Sequence, residues 1–438
     1  MRTFDVLVLG GGPGGATAAL ACARRGLSVA VLEKDRHPRF HIGESLLPRN
    51  LPLIKELGLE ERIADLPHLP KFGAMFLMAN ATEPARMGFD QGLLPGMPTF
   101  NVERASFDHM LLQEAAKAGA TVFEETPVKA IHKLDADGCE VETPAGRFAG
   151  KICIDATGHG TVIGRHFDRR RAVLDEDLKR VAYFEHFEGV AMPTGPEAGS
   201  PLLVMADEGW FWLIGLDGTR TSVGFVAKPG LCKELGVPAG EMLRWAIARA
   251  PAVRERMKHA EGPTQNRVLA DFSYSCAPFF GPGYFLVGDA ACFLDPIFST
   301  GVTLAMMSGN EAAKHAADLL AGTTTTAKAG RSYTAFIKNS TGVFIKLIRG
   351  YYKHSFRELI LAPGGPFKVR PAVISVLAGQ VFPKPPFALR WRMALFHAFV
   401  KAQAKWALVP RHARWSLRSP EADALAAGEA TEPVRAAA

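Results

Sequence analysis

The sequence lacks long apolar runs and paired cysteines, and its first residues do not have the pattern of a leader peptide. None of its apolar runs approaches the length of a membrane span. No basic region followed by an apolar segment precedes the first predicted strand, which begins within a few residues of Met1. The six cysteines show no CxxC spacing, which argues against zinc sites and disulfides. We therefore expect a cytoplasmic protein without a transmembrane segment, a metal or a nucleic-acid partner.

Acidic residues are scarce in one part of the chain. Residues 331–420 contain 16 lysines and arginines but a single acid, Glu358. The remainder holds 35 basic and 43 acidic residues, so the net charge of +7 conceals a basic C-terminal region on an otherwise acidic chain. This concentration of positive charge favours an acidic partner.

A glycine-rich loop follows the first predicted strand. Gly10-Gly11-Gly12-Pro13-Gly14-Gly15 has the spacing G-x-G-x-x-G, and an alanine-rich helix comes next. A second predicted strand, residues 29–32, ends at Glu33. This order is typical of a dinucleotide site, where the loop approaches the pyrophosphate and the acid accepts a ribose hydroxyl. An acid at position 33 disfavours a 2′-phosphate.

A second stretch has the features of a sugar and anion site. Gly288-Asp289 follows a predicted strand at 284–287, and Asp295-Pro296 and Ser299-Thr300-Gly301 precede a predicted helix at 302–313. A carboxylate at a strand end can accept hydrogen bonds from a polyol, and a helix start favours an anion or a flavin carbonyl. An ordinary strand–turn–helix junction does not explain two aspartates and S-T-G within thirteen residues.

Other candidate residues lie in loops and at strand ends. The loop at 38–48 combines Arg, His, Glu and Ser side chains, although a solvated connection is the plainer interpretation. Lys71 begins a predicted apolar strand at 71–78, where a lysine usually extends to the surface. Trp210 and Trp212 should share one face of a strand, as core tryptophans also do.

These patterns predict an α/β protein with a Rossmann-type domain. We assign the nucleotide-binding domain to residues 1–170 and 271–330. An inserted substrate domain with an antiparallel sheet should span 171–270, with parts of 70–100. A basic helical region should cover 331–420, followed by a flexible tail at 421–438.

A helix is predicted from Arg390 to Trp406. On a helical wheel, a basic stripe and an apolar face separate, which predicts a helix packed on the core through its apolar face. The predicted apolar face is Trp391, Leu395, Phe399, Ala402 and Trp406.

Together these motifs resemble the flavin-dependent halogenases, within the class A flavin monooxygenase and geranylgeranyl reductase superfamily. The superfamily resemblance spans roughly residues 1 to 360 and rests on the loop at 10–15, Glu33, Arg104 and the stretches 155–158 and 288–301. For the halogenases, Trp210-x-Trp212-x-Ile214 is similar to the signature W-x-W-x-I-P. Lys71 falls where that family has its catalytic lysine.

The resemblance implies a GR2-type FAD-binding domain and specific residue roles. Lys71, Glu44 and Ser299 are the implied catalytic residues, Thr300 and Gly301 the halide site, and Trp210 and Trp212 the partition between flavin and substrate. The implied cofactor-binding residues are Gly10, Gly12, Pro13, Gly14, Gly15, Glu33, Lys34, Arg39, Glu44, Ser45, Arg104, Thr157, Gly158, Gly288, Asp289, Asp295, Pro296, Ser299, Thr300, Gly301 and Val302.

The resemblance also implies the chemistry. Reduced FAD and O2 oxidise chloride or bromide to hypohalous acid, which reaches Lys71 through the protein. A buried lysine has a lowered pKa and offers a neutral amine that can deliver the halogen. Glu44 is expected to orient Lys71 or take up a proton. No second G-x-G-x-x-G is present for a nicotinamide, so reduced flavin should come from a separate reductase.

Two positions depart from the family pattern. Gly215 replaces the signature proline, and Phe298 stands where tryptophan-specific members have glutamate. We therefore expect phenolic, pyrrolic or aliphatic substrates, either free or tethered to an acidic carrier protein. The alternatives are a flavin monooxygenase or geranylgeranyl-reductase-like oxidoreductase, and a non-catalytic flavoprotein that binds a carrier protein.

Overall fold

The structure is a computed structural model that describes residues 1–94, 96–173, 178–270 and 273–428. The strands within these ranges are β1 (Arg2–Leu9), β2 (Val29–Leu32), β3 (His68–Lys71), β4 (Gly73–Met78), β5 (Ala85–Gly88), β6 (Thr99–Val102), β7 (Thr121–Phe123), β8 (Ala130–Asp135), β9 (Gly138–Thr143), β10 (Gly146–Asp155), β11 (Arg171–Ala172), β12 (Val181–Glu188), β13 (Leu202–Met205), β14 (Gly209–Gly215), β15 (Arg220–Ala227), β16 (Arg267–Leu269), β17 (Tyr274–Ser275), β18 (Phe280–Gly281), β19 (Tyr284–Leu286) and β20 (Cys292–Phe293).

The helices alternate with the strands early in the chain and dominate after residue 300. They are α1 (Pro13–Ala23), α2 (Asn50–Glu56), α3 (Glu60–Ala64), α4 (Arg104–Lys117), α5 (Val162–His166), α6 (Leu231–Leu235), α7 (Met242–Arg249), α8 (Pro251–Arg256), α9 (Gly301–Leu320), α10 (Thr326–Tyr351), α11 (His354–Leu361), α12 (Val369–Leu377), α13 (Phe387–Trp406) and α14 (Pro420–Ala427). Among the described residues, no helix is long and apolar enough to cross a membrane.

The first sheet carries the predicted nucleotide-binding motifs. Its strand order is β18-β19-β10-β1-β2-β7, and β1 pairs in parallel with both β10 and β2. The inner residues of β1, Val6 to Leu9, are fully buried. Helix α1 packs between this sheet and α9, so the glycine loop at 10–15 and the start of α9 lie at the same edge of the fold. This is the edge at which parallel sheets bind nucleotides.

The second sheet has the order β16-β12-β15-β14-β13-β4-β5. Its pairs are antiparallel, as predicted, apart from β13 with β4, which is parallel. Hairpins fix the direction of consecutive strands, but β4 comes from a distant part of the chain and is not constrained in that way. Alternate residues serve two cores: Phe211 and Phe225 pack against α7 and α8, whereas Trp210 and Trp212 join the core shared with the first sheet.

Two pairs of consecutive helices are separated by backbone breaks. Helices α2 and α3 are separate because Gly58 between them adopts a positive φ of 53°. Helices α7 and α8 are separate because the ring of Pro251 cannot continue the hydrogen-bond ladder of α7.

The face predicted for the helix at 390–406 was wrong. The buried face of α13 comprises Leu389, Met393, Phe396, Val400 and Gln403, not the face predicted from the wheel, and Trp406 is 71% exposed. Gln403 can be buried because its amide forms hydrogen bonds with Glu358 and Val409. A hydropathy pattern does not predict a buried glutamine, so it does not identify this face. Part of the expected flexible tail at 421–438 forms α14, where Arg249 pairs with Asp423, and residues 429–438 of that tail lie outside the described residues.

Candidate active site

One cavity of about 510 Å³ lies between the two sheets and collects nearly every predicted site residue. The predicted residues that line it are Gly10, Gly12, Pro13, Gly14, Glu33, Lys34, Arg39, Glu44, Ser45, Lys71, Arg104, Thr157, Gly158, Trp210, Trp212, Gly288, Asp289, Asp295, Pro296, Ser299, Thr300, Gly301 and Val302. Gly15 is the exception. A Cβ there would lie 1.9 Å from the carbonyl oxygen of Gly10, so this glycine permits the tight loop.

The glycine loop leaves open space where a phosphate would lie. A Cβ on Gly12 would meet only one atom within 4 Å, Arg39 Nη2 at 3.4 Å. Helix α1 begins at Pro13, so its unpaired N–H groups and positive dipole end lie next to this space. A guanidinium and a helix N-terminus at one open position suit an anion.

Glu33 has a role in the loop beyond that predicted. Its Oε2 accepts a hydrogen bond from the N–H of Gly11 at 2.5 Å, and its Oε1 accepts one from Asp35 at 2.8 Å. The buried carboxylate therefore holds the glycine loop in place. It still lines the cavity, and each oxygen retains a lone pair for a sugar hydroxyl.

Asp108 is a residue that the sequence analysis missed. It is fully buried in α4 and binds the guanidinium groups of both Arg39 and Arg104, with N–O distances of 2.7 to 3.0 Å. Burial raises the pKa of Asp108, but the two arginines lower it overall. Arg104 also donates to the carbonyl oxygens of Ile42 and Gly43, and so anchors the loop that carries Glu44.

Burial favours the uncharged form of two carboxyl groups in the segment that precedes α9. Burial raises the pKa of Asp289 to about 7, and a nearby guanidinium only partly offsets this. Burial likewise raises the pKa of Asp295 to about 6. Ser299, with a φ of 54°, turns the chain so that Thr300 and Gly301 begin α9 at the cavity.

A hydrogen-bonded chain connects the second sheet to this loop. Trp210 Nε1 donates to the hydroxyl of Tyr352 at 3.3 Å, and that hydroxyl donates to Asp295 Oδ2 at 2.7 Å. Asp295 Oδ1 accepts from the N–H of Ile297. Tyr352, at the end of α10, was not predicted as a site residue, since about 57 positions separate it from Asp295.

Trp212 is held separately. Its Nε1 donates to Ser222 at 3.1 Å, and its ring lies over Gly224, where a Cβ would come within 2.2 Å of the indole. Gly215 is the position at which the signature motif has proline. A Cβ there would lie 3.0 Å from Leu69 of β3, so a side chain at this position would crowd the strand that ends at Lys71.

Lys71 is buried, which corrects the surface interpretation. It ends β3 rather than beginning β4, and only 2% of it is exposed. Its Nζ donates to Ser45 Oγ at 2.8 Å and to the carbonyl oxygen of Leu46 at 3.0 Å. Burial lowers its pKa from 10.5 to about 7. Near neutral pH, a large share of this amine is therefore uncharged and able to react with an electrophile.

Glu44 does not contact Lys71, contrary to the expectation that it orients the lysine; the adjacent Ser45 does so. The Oε1 of Glu44 lies 2.5 Å from Nε2 of His186 on β12. Both side chains are buried. His186 was not predicted as a site residue, because it occurs in an ordinary strand pattern with apolar residues.

The cavity fits FAD. It offers an open anion position at Gly12, an acid at Glu33 and a carboxyl at Asp289 for hydroxyl groups. Its volume lies in the range of cofactor sites. No group of three or more potential metal-binding side chains occurs in the described ranges.

Comparisons with known proteins agree with this geometry. A family model described as "Tryptophan halogenase" matches residues 74–359, and one described as "FAD dependent oxidoreductase" matches residues 5–38. The chain is 30% identical over 321 residues to a protein of Pseudoalteromonas luteoviolacea named 1H-pyrrole-2-carbonyl-[peptidyl-carrier protein] brominase. That match covers 71% of this chain and 77% of the relative.

Solved structures share the fold. A flavoprotein/dehydrogenase from Cytophaga hutchinsonii superposes with a TM-score of 0.82 at 30% identity, covering 92% of this chain and 98% of that one. The flavin-dependent brominase Bmp2 superposes with a TM-score of 0.80 at 27% identity, covering 92% of this chain and 100% of that one. The predicted α/β flavoprotein fold is confirmed.

Proposed function

The chain belongs to the flavin-dependent halogenase family, and from this premise we propose that it halogenates an electron-rich ring carried as an acyl group on an acidic carrier protein. It is an FAD-dependent enzyme, and a halide is its co-substrate. The observation that carries the proposal is Lys71, a buried lysine in the same cavity as the predicted flavin residues, with its pKa lowered to about 7.

The chain's own residues would hold the cofactor and the halide. Arg39 and the loop at 10–15 would bind the pyrophosphate, and Glu33 and Asp289, which line the cavity, would accept hydrogen bonds from hydroxyl groups. When bound in its reduced form, FAD supplies with O2 the oxidising power that converts halide into hypohalous acid. Thr300 and Gly301 would hold the halide at the start of α9, where backbone N–H groups are free.

Lys71 would meet the hypohalous acid where the substrate binds. Ser45 and Leu46 direct its amine, and Phe89 lies beside it with a ring centroid 5.4 Å from Nζ. Aromatic and aliphatic side chains make up much of the cavity wall, which suits a flat, electron-rich ring. Trp210 and Trp212, fixed by Tyr352 and Ser222, would keep the ring apart from the flavin.

The substrate class follows from Phe298 and from the basic surface. Phe298 is buried against Tyr351, so this position offers no carboxylate to a free amino acid. Burial lowers the pKa of His397 on α13, and the lysines at 346, 353 and 401 lower it further, so these three lysines lie near the same part of α13. This surface would receive a negatively charged carrier protein. A relative named for a carrier-bound pyrrole supports the same choice.

A direct test supplies reduced FAD from a separate flavin reductase, together with air and bromide. Pyrrole-2-carbonyl thioester on a carrier protein, a set of free phenols and free tryptophan are compared by mass spectrometry. We expect the bromine isotope pair on the tethered pyrrole and little product from free tryptophan. Hydroxylated product formed without halide would instead establish the monooxygenase alternative. Efficient bromination of free tryptophan would refute the substrate assignment.

A further inference from the structure

We propose that the outer face of α13 lies on an anionic membrane surface, which it contacts through an apolar stripe flanked by basic side chains. The apolar stripe comprises six residues of α13, namely Phe387, Trp391, Leu395, Ala398, Ala402 and Trp406. This inference goes beyond the proposed halogenation and does not depend on it, because no residue of α13 lines the active-site cavity.

The apolar stripe is a side of α13 that the fold leaves largely uncovered. Its members follow one another at intervals of three or four residues, which places them within an arc of about 100° around the helix. None belongs to the buried face, which includes Phe396 and Val400. Phe387 and Trp406, at the two ends, are both 71% exposed, and Leu395 between them is only half-buried against the core. Helix α13 is therefore apolar on two sides, and only one of them is buried.

Other exposed apolar side chains lie beside the stripe. Phe367 is 64% exposed, and its carbonyl oxygen accepts a hydrogen bond from Arg392 Nε at 2.9 Å, so this loop residue adjoins α13. The Arg392 guanidinium also lies 4.1 Å from the ring centroid of Trp391. Leu408, just after the helix, is half exposed. Four of the ten strongly exposed large apolar side chains of the described residues thus lie on or beside α13, which indicates an interaction surface.

Basic side chains flank the stripe without any exposed acid nearby in the chain. Arg390, Lys401 and Lys405 are exposed along one edge of the stripe, and Arg392 borders the other. Glu358 is the single acid among residues 331–420, and it is buried. Each basic side chain close to an anionic bilayer strengthens binding about 5-fold. Exposed Trp and Phe side chains among lysines and arginines are typical of a helix that lies at the level of the lipid head groups.

The shape of this surface favours a bilayer over a protein partner. From Phe387 to Trp406 the stripe is about 28 Å long, and it follows the convex side of one helix. A flat, continuous surface can contact such a row along its whole length. The lysines proposed above for a carrier protein lie near His397, which is about 130° around the helix from the centre of the stripe. A second copy of the chain would bring like charges together, which opposes self-association through this face.

The test measures binding of the full-length, FAD-loaded protein to lipid vesicles by flotation. We expect binding to vesicles of phosphatidylcholine mixed with phosphatidylglycerol, little binding to phosphatidylcholine alone, and a steep loss of binding with salt. Phe387→Ala and Trp406→Ala should each weaken binding to the mixed vesicles about 10-fold, because each removes an aromatic ring from the interface. Arg390→Glu should weaken it about 25-fold, because it removes one attraction and adds one repulsion.

Matched variants control for folding and for charge. Phe167→Ala and Lys55→Glu change an exposed aromatic and an exposed basic residue outside α13, and both should bind the mixed vesicles as the wild type does. The three α13 variants also change exposed side chains. They should therefore bind FAD and brominate a small thioester substrate at the wild-type rate.

The other outcomes contradict membrane binding through the stripe. Failure to float with the mixed vesicles would overturn the inference, as would binding that the three α13 variants leave unchanged. A carrier protein would be the occupant instead if the two alanine variants slowed bromination of a carrier-bound ring without weakening flotation. A second copy would be the occupant if ultracentrifugation showed a dimer that these variants dissociate, again with flotation unchanged. A wild type that floats as expected but never brominates would support this inference and count against the proposed function alone.

Discussion

Burial of Lys71 should lower the free energy of unfolding of the protein, by an amount that depends on pH. Burial lowers its pKa from 10.5 to about 7 in the folded state. The unfolded chain therefore binds one more proton than the folded chain between about pH 7 and 10.5, so the contribution of Lys71 to stability rises with pH through that window. Below it, both states are protonated and the full cost remains.

The magnitude follows from the size of the shift. At about 1.36 kcal/mol per unit of pKa, the cost is on the order of 4 to 5 kcal/mol below pH 7. Lys71→Met removes this cost but also the hydrogen bonds to Ser45 and Leu46, worth about 1 kcal/mol each. We therefore expect the methionine variant to be more stable than the wild type by about 2 kcal/mol at neutral pH. It should nevertheless be inactive in halogenation.

Urea unfolding at several pH values measures this directly. The stability of the wild type relative to Lys71→Met should rise by about 1.4 kcal/mol per pH unit between roughly pH 7.5 and 9.5. Exposed Lys55→Met is the control and should show no such slope. A flat difference across the window, or a methionine variant less stable than the wild type at pH 7, would refute the assignment of a buried amine with a lowered pKa.

Three other predictions address the cofactor, the halide and the partner. Gly12→Val should abolish FAD binding, measured by flavin absorbance, because its side chain points into the open position beside Arg39; Gly240→Val, which meets nothing within 4 Å, is the control. Tyr352→Phe removes one hydrogen bond from Asp295 and should raise the KM for bromide about 5-fold with little change in kcat, whereas an unchanged KM would separate Tyr352 from the halide loop. Lys401→Glu should slow bromination of a carrier-bound ring but not of the same ring supplied as a small thioester. Salt should reduce this difference, because exposed charges are screened over about 8 Å. Equal losses of rate on both substrates would contradict docking at this face.

The predictable parts of the fold depend on local pattern. The glycine loop, Glu33 and the start of α9 were located correctly because strand, turn and helix signals lie next to them in the chain. The antiparallel sheet within residues 171–270 was expected because its strand pattern is also local. The sequence therefore predicted the positions of elements that local backbone preferences determine.

The parts that escaped prediction depend on tertiary contacts. Asp108, His186 and Tyr352 acquire their importance from partners between 4 and 142 residues away, and no local pattern marks them. From the sequence alone, Lys71 was expected at the surface. In the structure, β6 and the loop at 38–48 cover it. On α13, a buried glutamine replaces an apolar residue in the stripe, so hydropathy selected the wrong face.

The most direct test of the account is the fate of the halogen in Lys71→Ala. The enzyme is supplied with reduced FAD, air, bromide and its unbrominated substrate. Free hypobromous acid and brominated product are then measured in the same reaction. We predict normal FAD binding and wild-type release of hypobromous acid, with brominated product lost. A Lys71→Ala enzyme that brominates its substrate at the wild-type rate would contradict the account, even with the flavoprotein fold intact.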